Sequence, residues 1–292
     1  MKKRNTEFSR IIAGSMTWGK WGKKFSAKEM EERMHHCLEN GITTFDHADI
    51  YGGYTTEEEF GRAFADSGIR RDDIELISKC GIQYVCEKRD NKIKHYNYSG
   101  NYIVWSVEQS LKNLRTDYLD LLLLHRPSPL MDPSEIAGAV EKLRSSGKVR
   151  EFGLSNFSPS QVDLVKSAVE VSANQIEFSI TEFSAMHNGS LDQMIVEDIT
   201  PMAWSPLGKT FREKTPQTER VQQLLMDLVV KYRVSADQLL LAWILKHPAA
   251  IHPVIGTTSP ERITNAVKAL DIEMELEDWF ALLVASQGHK VP

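Results

Sequence analysis

Short apolar segments alternate along the chain with longer segments of helical periodicity, and this alternation predicts the fold. The clearest apolar segment, residues 119–124, has five leucines in six positions and is typical of a strand buried on both faces. Seven further short segments are bounded by Gly, Pro or polar residues, as strands usually are. The eight predicted strands are residues 10–16, 42–46, 74–78, 119–124, 149–154, 174–178, 201–204 and 251–255.

The segments between these strands carry helix-start signals. Ser26 with Glu29 and Thr55 with Glu58 have the spacing of a capping box, in which a hydroxyl and a carboxylate bind free N–H groups of the first turn. Residues 57–59 are interpreted as a charged first turn that suits the helix dipole. A polar cap followed by proline at the first helical position is a second signal. It occurs at residues 132–133, 158–159 and 259–260.

Strands that alternate with helices are parallel and joined by right-handed crossovers, which leaves a closed barrel or an open doubly wound sheet. An open sheet usually has a glycine-rich first turn, but no G-x-G-x-x-G follows the first predicted strand. Polar residues instead follow nearly every strand, as in barrel enzymes. The sequence therefore predicts an α/β fold, a (β/α)8 TIM barrel, as a single domain over residues 1–292. Two helical patterns within residues 215–247 add an extra helix between strands 7 and 8, and residues 80–100 form a long mouth loop.

Composition narrows the functional classes. The chain of 292 residues is 41% hydrophobic and 26% charged, as expected of a globular protein with a sizeable core. A net charge of -5 without a dense basic block argues against binding to nucleic acid or to an anionic membrane. No apolar stretch has the length of a membrane helix, the N-terminus has no signal-peptide segment, and three cysteines argue against a disulfide framework. We expect a cytoplasmic protein, and the sequence leaves its oligomeric state open.

Four chemically active side chains follow consecutive predicted strands: Asp46, Tyr51, Lys79 and His125. Each alone has a structural interpretation, as half of an ion pair, a packing aromatic or a satisfied histidine. Because the carboxyl ends of barrel strands converge on one mouth, the four together indicate a common pocket. A metal site is not expected, since a strand alternates its faces and no further carboxylate and histidine set accompanies residues 46–49.

Six segments resemble the signature segments of the aldo-keto reductases, in that family's order. They are FDHADIYGG, ISKCG, LDLLLLHRP, KVREFGLSNF, MAWSPLG and IGTTSPERI, and the resemblance extends over residues 10–270. HADIYGGY, HRPSPLMDP and the terminal VP resemble most closely the YdhF-like bacterial oxidoreductases. The resemblance implies NADPH-dependent reduction of a small aldehyde or ketone, with Asp46, Tyr51, Lys79 and His125 as the catalytic tetrad.

Elementary chemistry agrees with these implied roles. A tyrosine with its ordinary pKa near 10 is a slow proton donor at neutral pH, and we expect the Lys79 ammonium to lower the pKa of Tyr51. Asp46 would hold that ammonium. His125 would direct the carbonyl oxygen of the substrate towards the Tyr51 hydroxyl and polarise it.

The resemblance also implies a binding site for NADP(H). Ser155, Asn156 and Gln175 would bind the nicotinamide carboxamide, and Trp204 would stack on the nicotinamide ring. Residues along the pyrophosphate would be Ser205, Leu207 and Gly208. Thr17 and Trp18 would meet the cofactor or line the pocket.

A second anion site precedes the last predicted cap. The free N–H groups of a helix start favour a phosphate, and the resemblance implies a clamp on the adenosine 2′-phosphate. Its residues are Gly256, Thr257, Thr258, Ser259 and Arg262. Asn265 and Ala266 stand where the family often has an acidic residue and an asparagine against adenine, so adenine binding is expected to be looser.

Two other functions remain open. One is a Schiff-base lyase in the same barrel with Lys79 as nucleophile. The other is a cofactor-binding sensor or interaction subunit with slow turnover. Arg126 also has two interpretations: it faces the mouth and draws anionic carbonyl compounds, or it points outward to a surface acid.

Overall fold

Eight parallel strands close into a barrel in the computed structural model, which describes residues 7–292. The first six residues of the expected domain lie outside that range. The barrel strands are β1 (Ile12–Gly14), β2 (Thr44–Asp46), β3 (Glu75–Cys80), β6 (Leu119–Leu124), β7 (Val149–Ser155), β8 (Ala173–Glu177), β9 (Thr200–Trp204) and β10 (His252–Ile255). Around the barrel the order is β1, β10, β9, β8, β7, β6, β3, β2, and β2 pairs with β1 to close the circle. The predicted (β/α)8 barrel is confirmed.

The leucine-rich strand β6 illustrates why these segments are strands. Alternate side chains point to opposite faces of a strand. Leu121 and Leu123 accordingly lie inside the barrel with Ile77 and Met202, whereas Leu122 belongs to the layer between strands and helices. A segment that is apolar on both faces can be buried on both, and every residue of β6 is buried.

The helices surround the barrel. They are α1 (Ala27–Glu39), α2 (Thr56–Asp66), α3 (Gly100–Leu114), α4 (Pro133–Ser145), α5 (Pro159–Lys166), α6 (Ser190–Val196), α7 (Pro216–Tyr232), α8 (Ala236–Leu245), α9 (Pro260–Lys268) and α10 (Leu276–Gln287). Both α7 and α8 lie between β9 and β10, the seventh and eighth barrel strands, so the extra helix is confirmed. None of the described helices is long and apolar enough to cross a membrane.

The first turns of α1 and α2 differ. Ser26 and Glu29 form the predicted capping box at α1. The capping box predicted at Thr55 is wrong, because its side chain makes no cap hydrogen bond and donates instead to the Gly52 carbonyl oxygen at 3.2 Å. The predicted acidic first turn of α2 is confirmed, since Glu57, Glu58 and Glu59 all lie in it. Glu57, however, is 3% exposed and accepts a hydrogen bond of 2.6 Å from Ser78. Glu57 therefore faces the barrel and not solvent.

Residues 80–100 hold a small antiparallel hairpin of β4 (Ile82–Gln83) and β5 (His95–Tyr96). This hairpin is tied to the loop after β2 through Tyr54, whose hydroxyl donates to the Ile82 carbonyl oxygen at 3.1 Å and accepts from the Tyr84 N–H at 3.0 Å. The long mouth loop is therefore anchored to the segment that carries Tyr51.

Candidate active site

A buried ion pair occupies the carboxyl ends of β2 and β3. Lys79 Nζ lies 2.6 and 2.7 Å from the two carboxylate oxygens of Asp46. The Lys79 and Asp46 residues are 1% and 3% exposed. Gln175, from the far side of the barrel, donates to Asp46 Oδ1 at 2.9 Å, and the His47 carbonyl oxygen accepts from Lys79 at 2.8 Å. Such contacts offset the cost of burying two charges and fix the direction of the ammonium.

Tyr51 lies beside this pair because the chain turns back after β2. Its N–H donates to the Ala48 carbonyl oxygen at 3.1 Å, and its hydroxyl lies 3.3 Å from Lys79 Nζ. Burial raises the pKa of Tyr51, and although the nearby Lys79 ammonium lowers it, the pKa stays above its ordinary value. The expected lowering is therefore wrong in sign, because desolvation of the phenolate outweighs the attraction to Lys79.

His125 follows β6 and completes the group. Its ring centroid lies 6.1 Å from that of Tyr51 at a steep angle. Burial, followed by the positive charges of Lys79, Arg126 and Lys94, holds the pKa of His125 well below its usual range. Its Nδ1 is buried and has no hydrogen-bond partner among residues 7–292. A neutral imidazole in this position can exchange a hydrogen bond with a ligand.

Lys79 is poorly suited to nucleophilic attack. Burial alone lowers the pKa of Lys79, but Asp46 and Tyr51 raise it more, so the pKa lies above its ordinary value. A Schiff base requires the free amine. The ammonium is instead held by Asp46 and the His47 carbonyl oxygen and directed at the Tyr51 hydroxyl.

The three residues expected at the carboxamide lie together, Ser155 and Asn156 at the end of β7 and Gln175 within β8. Ser155 and Gln175 are register partners on these strands. Asn156 has a left-handed backbone with φ of 63° and donates to Ser155 Oγ at 2.8 Å. Trp204 Nε1 donates to Asn156 Oδ1 at 2.9 Å, so the ring expected under the nicotinamide adjoins this amide.

The loop after β9 is held in a tight turn by an arginine that the sequence analysis missed. Arg212 donates to Ser205 Oγ at 3.1 Å and to the Gly208 carbonyl oxygen at 2.7 Å. Gly208 has φ of 54°, and a Cβ there would lie 2.0 Å from Thr181 Oγ1. Leu207 packs on the hydrophobic core. Three basic side chains in the segment KTFREK were the available signal for a cation here.

The second anion site also has the expected elements. Ser259 caps α9 by accepting from the Arg262 N–H at 3.5 Å, and its own N–H donates to Thr257 Oγ1 at 3.3 Å. Thr17 Oγ1 donates to the Gly256 carbonyl oxygen at 3.1 Å, which ties the loop after β1 to this site. Thr258 is partly buried and Arg262 is exposed. Asn265 lines a cleft with Tyr232, Gln238 and Lys268.

The structure separates the two tryptophans of the loop after β1. Trp18 is 1% exposed and packs its ring edge-on against Phe45, so its side chain faces the core and not the mouth. Trp21, which the sequence analysis missed, is 39% exposed, and its ring centroid lies 6.2 Å from that of Tyr51. Trp21 also contacts Tyr84 edge-on at 5.5 Å. Its place in the same Gly- and Lys-rich loop was the signal.

These groups suit a nicotinamide dinucleotide. Amide and hydroxyl side chains surround an aromatic ring at one end, and a capped helix start with an arginine lies beyond β10 at the other. Amides match a carboxamide, and helix N–H groups with a guanidinium match a phosphate.

The chain is similar in sequence and in fold to known proteins. Residues 10–282 match the model of the Aldo/keto reductase family. The chain is 44% identical to the uncharacterized oxidoreductase YcsN of Bacillus subtilis strain 168, over 98% of this chain and 97% of that protein. It is 40% identical to the oxidoreductase YdhF of Escherichia coli strain K12 and 39% identical to a 6-dehydroglucose reductase of Agrobacterium fabrum strain C58, in both cases over 98% of this chain and 96% of the relative. The crystal structure of the thermostable aldo-keto reductase Tm1743, a complex with the inhibitor epalrestat, aligns with a TM-score of 0.81 at 26% identity, covering 96% of each chain.

Proposed function

The chain belongs to the aldo/keto reductase family, and from this premise we propose that it reduces aldehydes or ketones to alcohols with NADPH, with Tyr51 as the proton donor. The observation that carries the proposal is the contact of 3.3 Å between Lys79 Nζ and the Tyr51 hydroxyl, with the same ammonium held by both oxygens of Asp46. A buried phenol beside a fixed cation is suited to giving up its proton as negative charge develops on a carbonyl oxygen.

Each member of the tetrad has one task. Tyr51 transfers its hydroxyl proton to the carbonyl oxygen and becomes a phenolate, which the Lys79 ammonium stabilises. Asp46 keeps the ammonium in place. His125, neutral because its pKa is lowered, donates a hydrogen bond that orients the carbonyl oxygen towards Tyr51. When bound, the reduced nicotinamide supplies the hydride that completes the alcohol.

The cofactor residues act by position. Ser155, Asn156 and Gln175 would hold the carboxamide, and Trp204 would lie against the nicotinamide ring. Gln175 also donates to Asp46, so one side chain links the proposed carboxamide site to the ion pair. Thr17 and the loop after β9, fixed by Arg212, would hold the dinucleotide between its two ends. Residues 256–259 with Arg262 would hold the 2′-phosphate, which would give a preference for NADPH.

Turnover measurements test the proposal. Purified protein with NADPH and a panel of aldehydes and ketones should oxidise the cofactor, followed by its absorbance. The panel should include a 6-dehydro sugar, because a relative carries the name 6-dehydroglucose reductase. Borohydride added with substrate and no cofactor should leave no covalent adduct on Lys79. An adduct would support the lyase, and cofactor binding without turnover of any carbonyl would support the sensor.

A further inference from the structure

Arg126 points into the barrel mouth. It follows His125, and its guanidinium lies 5.4 Å from the ring centroid of Trp204. Its Nη1 donates to Ser155 Oγ at 3.5 Å and to the His125 carbonyl oxygen at 3.2 Å. Ser155 and Trp204 both stand at carboxyl ends of barrel strands, so the outward orientation of Arg126 is excluded.

The backbone of Arg126 is fixed from both sides by one tyrosine. The Tyr98 hydroxyl donates to the Arg126 carbonyl oxygen at 2.6 Å and accepts from the Arg126 N–H at 3.1 Å. Tyr98 itself packs against Gly81, where φ is 111° and a Cβ would lie 1.9 Å from the tyrosine ring. Only glycine leaves room for this arrangement, which sets where the Arg126 side chain begins.

The charge of Arg126 has no ion-pair partner in the described part of the chain. Its two hydrogen bonds go to neutral oxygens and are long, although the side chain is partly buried and burial lowers the pKa of Arg126. Glu177 is the carboxylate that acts on Arg126, but it also interacts with Lys209 and Arg212. A partly buried guanidinium with free N–H groups is suited to a planar anion that accepts two hydrogen bonds.

We propose that Arg126 binds a carboxylate on the carbonyl substrate, so that the enzyme prefers oxo acids to neutral carbonyl compounds of the same size. This inference rests on the proposed reductase function. Because Arg126 directly follows His125, the carboxylate lies a short distance from the reacting carbonyl. A carboxylate is preferred to a phosphate here, since one guanidinium matches its two oxygens and its single charge.

The experiment compares aldehydes that carry a carboxylate with their methyl esters. The probes are the ω-oxo acids of two to five carbons, each measured beside its ester. Wild-type enzyme should show a higher kcat/KM for at least one acid than for its ester. Arg126→Met should lower that acid-to-ester ratio by about 10- to 150-fold, the range of a charge-assisted hydrogen bond.

Three control variants test whether the effect depends on a guanidinium at the position of Arg126. Arg150→Met removes an arginine from the opposite end of the barrel and should leave the ratio at its wild-type value. Arg126→Lys keeps a charge without the planar fork and should give an intermediate ratio. Tyr98→Phe keeps the charge but removes both backbone hydrogen bonds, and should lower the ratio by about 2- to 10-fold if Tyr98 positions Arg126.

The outcomes separate this inference from the function on which it rests. Wild-type enzyme that reduces the esters as well as the acids, or an acid preference that survives in Arg126→Met, overturns the role of Arg126 and leaves the reductase standing. Absence of turnover with acids, esters and the wider carbonyl panel overturns the reductase itself.

Discussion

Two buried carboxylates at opposite ends of the barrel have different surroundings. Asp120 lies near the amino ends of the strands, where it accepts hydrogen bonds from Arg71 at 2.6 Å, from Arg150 at 3.0 Å and from the Leu76 N–H at 2.8 Å. Both guanidinium groups also lie over the Tyr118 ring, 3.8 and 3.9 Å from its centroid. We call Arg71, Asp120, Arg150 and Tyr118 the floor cluster.

The mouth cluster is formed by Asp46, Tyr51, Lys79 and His125. Both carboxylate oxygens of Asp46 accept hydrogen bonds here as well. Lys79, which Asp46 holds, however, also contacts the Tyr51 hydroxyl at 3.3 Å, and the buried Nδ1 of the nearby His125 has no partner among the described residues. The floor cluster is complete within the protein, whereas the mouth cluster leaves groups for a ligand. The buried charge at the floor is therefore expected to contribute to stability, whereas the mouth has the free groups that the proposed reduction requires.

The largest expected effect is the loss of reduction in the variant Tyr51→Phe. The variant keeps the shape of the ring but removes the proton donor, so reduction should fall by about 100- to 10,000-fold, measured by NADPH absorbance. Binding of NADPH should persist. Tyr118→Phe in the floor cluster is the matched control and should retain turnover; wild-type rates in Tyr51→Phe would refute its role.

Asp120→Asn should lower stability and leave turnover nearly unchanged, the converse of Tyr51→Phe. Removing this charge leaves two arginines without their carboxylate, and the free energy of unfolding in urea should drop by about 3 kcal/mol, at the lower end for buried pairs since both arginines reach solvent. Turnover per folded molecule should stay within about twofold, because the floor takes no part in the reaction. Glu108→Gln, which breaks the exposed pair with Lys148, should cost far less. Equal losses in the two variants would contradict the assignment.

Arg262→Ala tests whether the free groups at the mouth end of the barrel bind the cofactor. Loss of the guanidinium should weaken NADPH by about 10- to 150-fold, nearer the lower value because the side chain is exposed, and should scarcely change NADH. Titrations followed by tryptophan fluorescence measure both affinities. Lys142→Ala, an exposed position on α4, should alter neither. Equal affinity of wild-type protein for NADPH and NADH would refute the phosphate clamp.

The pH profile should show the smallest effect. Burial raises the pKa of Tyr51 above its ordinary value, so its proton is retained through neutral pH. The pKa of His125 is lowered by burial, so the imidazole is already neutral at pH 6. Reduction at saturating NADPH, corrected for the rate without enzyme, should be flat from about pH 6 to 9. A midpoint between pH 6.5 and 9 would show that one of these groups titrates in the wrong range.

The sequence predicted the barrel and the place of the tetrad because both depend on strand ends. Apolar runs such as residues 119–124 and the Ser26 cap are local signals, and the barrel rule brings the residues that follow the strands to one mouth. The sign of the Tyr51 pKa could not be obtained in this way. It depends on the competition between burial and the Lys79 charge, which requires coordinates.

Side-chain direction in short turns was also beyond the sequence. Trp18 and Trp21 belong to the same loop, yet the first packs into the core and the second lies beside Tyr51. Glu57 has the spacing of a surface helix start but turns inward to Ser78. In each case a few backbone angles decide whether the side chain points into the core or into the cavity. The local sequence is the same for both directions and does not distinguish them.

The pairing of β1 with β10 constrains the order in which the barrel folds during synthesis. Ile12 of β1 lies beside Val254 of β10. Because β1 is the first barrel strand to leave the ribosome and β10 the last, this pairing can form only after β10 has emerged. Until then β1 and β9 each present an open edge, to which another strand could add wrongly. The contact of His36 in α1 with the Pro260 carbonyl oxygen at the start of α9 can form only at the same late moment. We therefore expect the sheet to stay open until β10 has emerged, and the barrel to close only then.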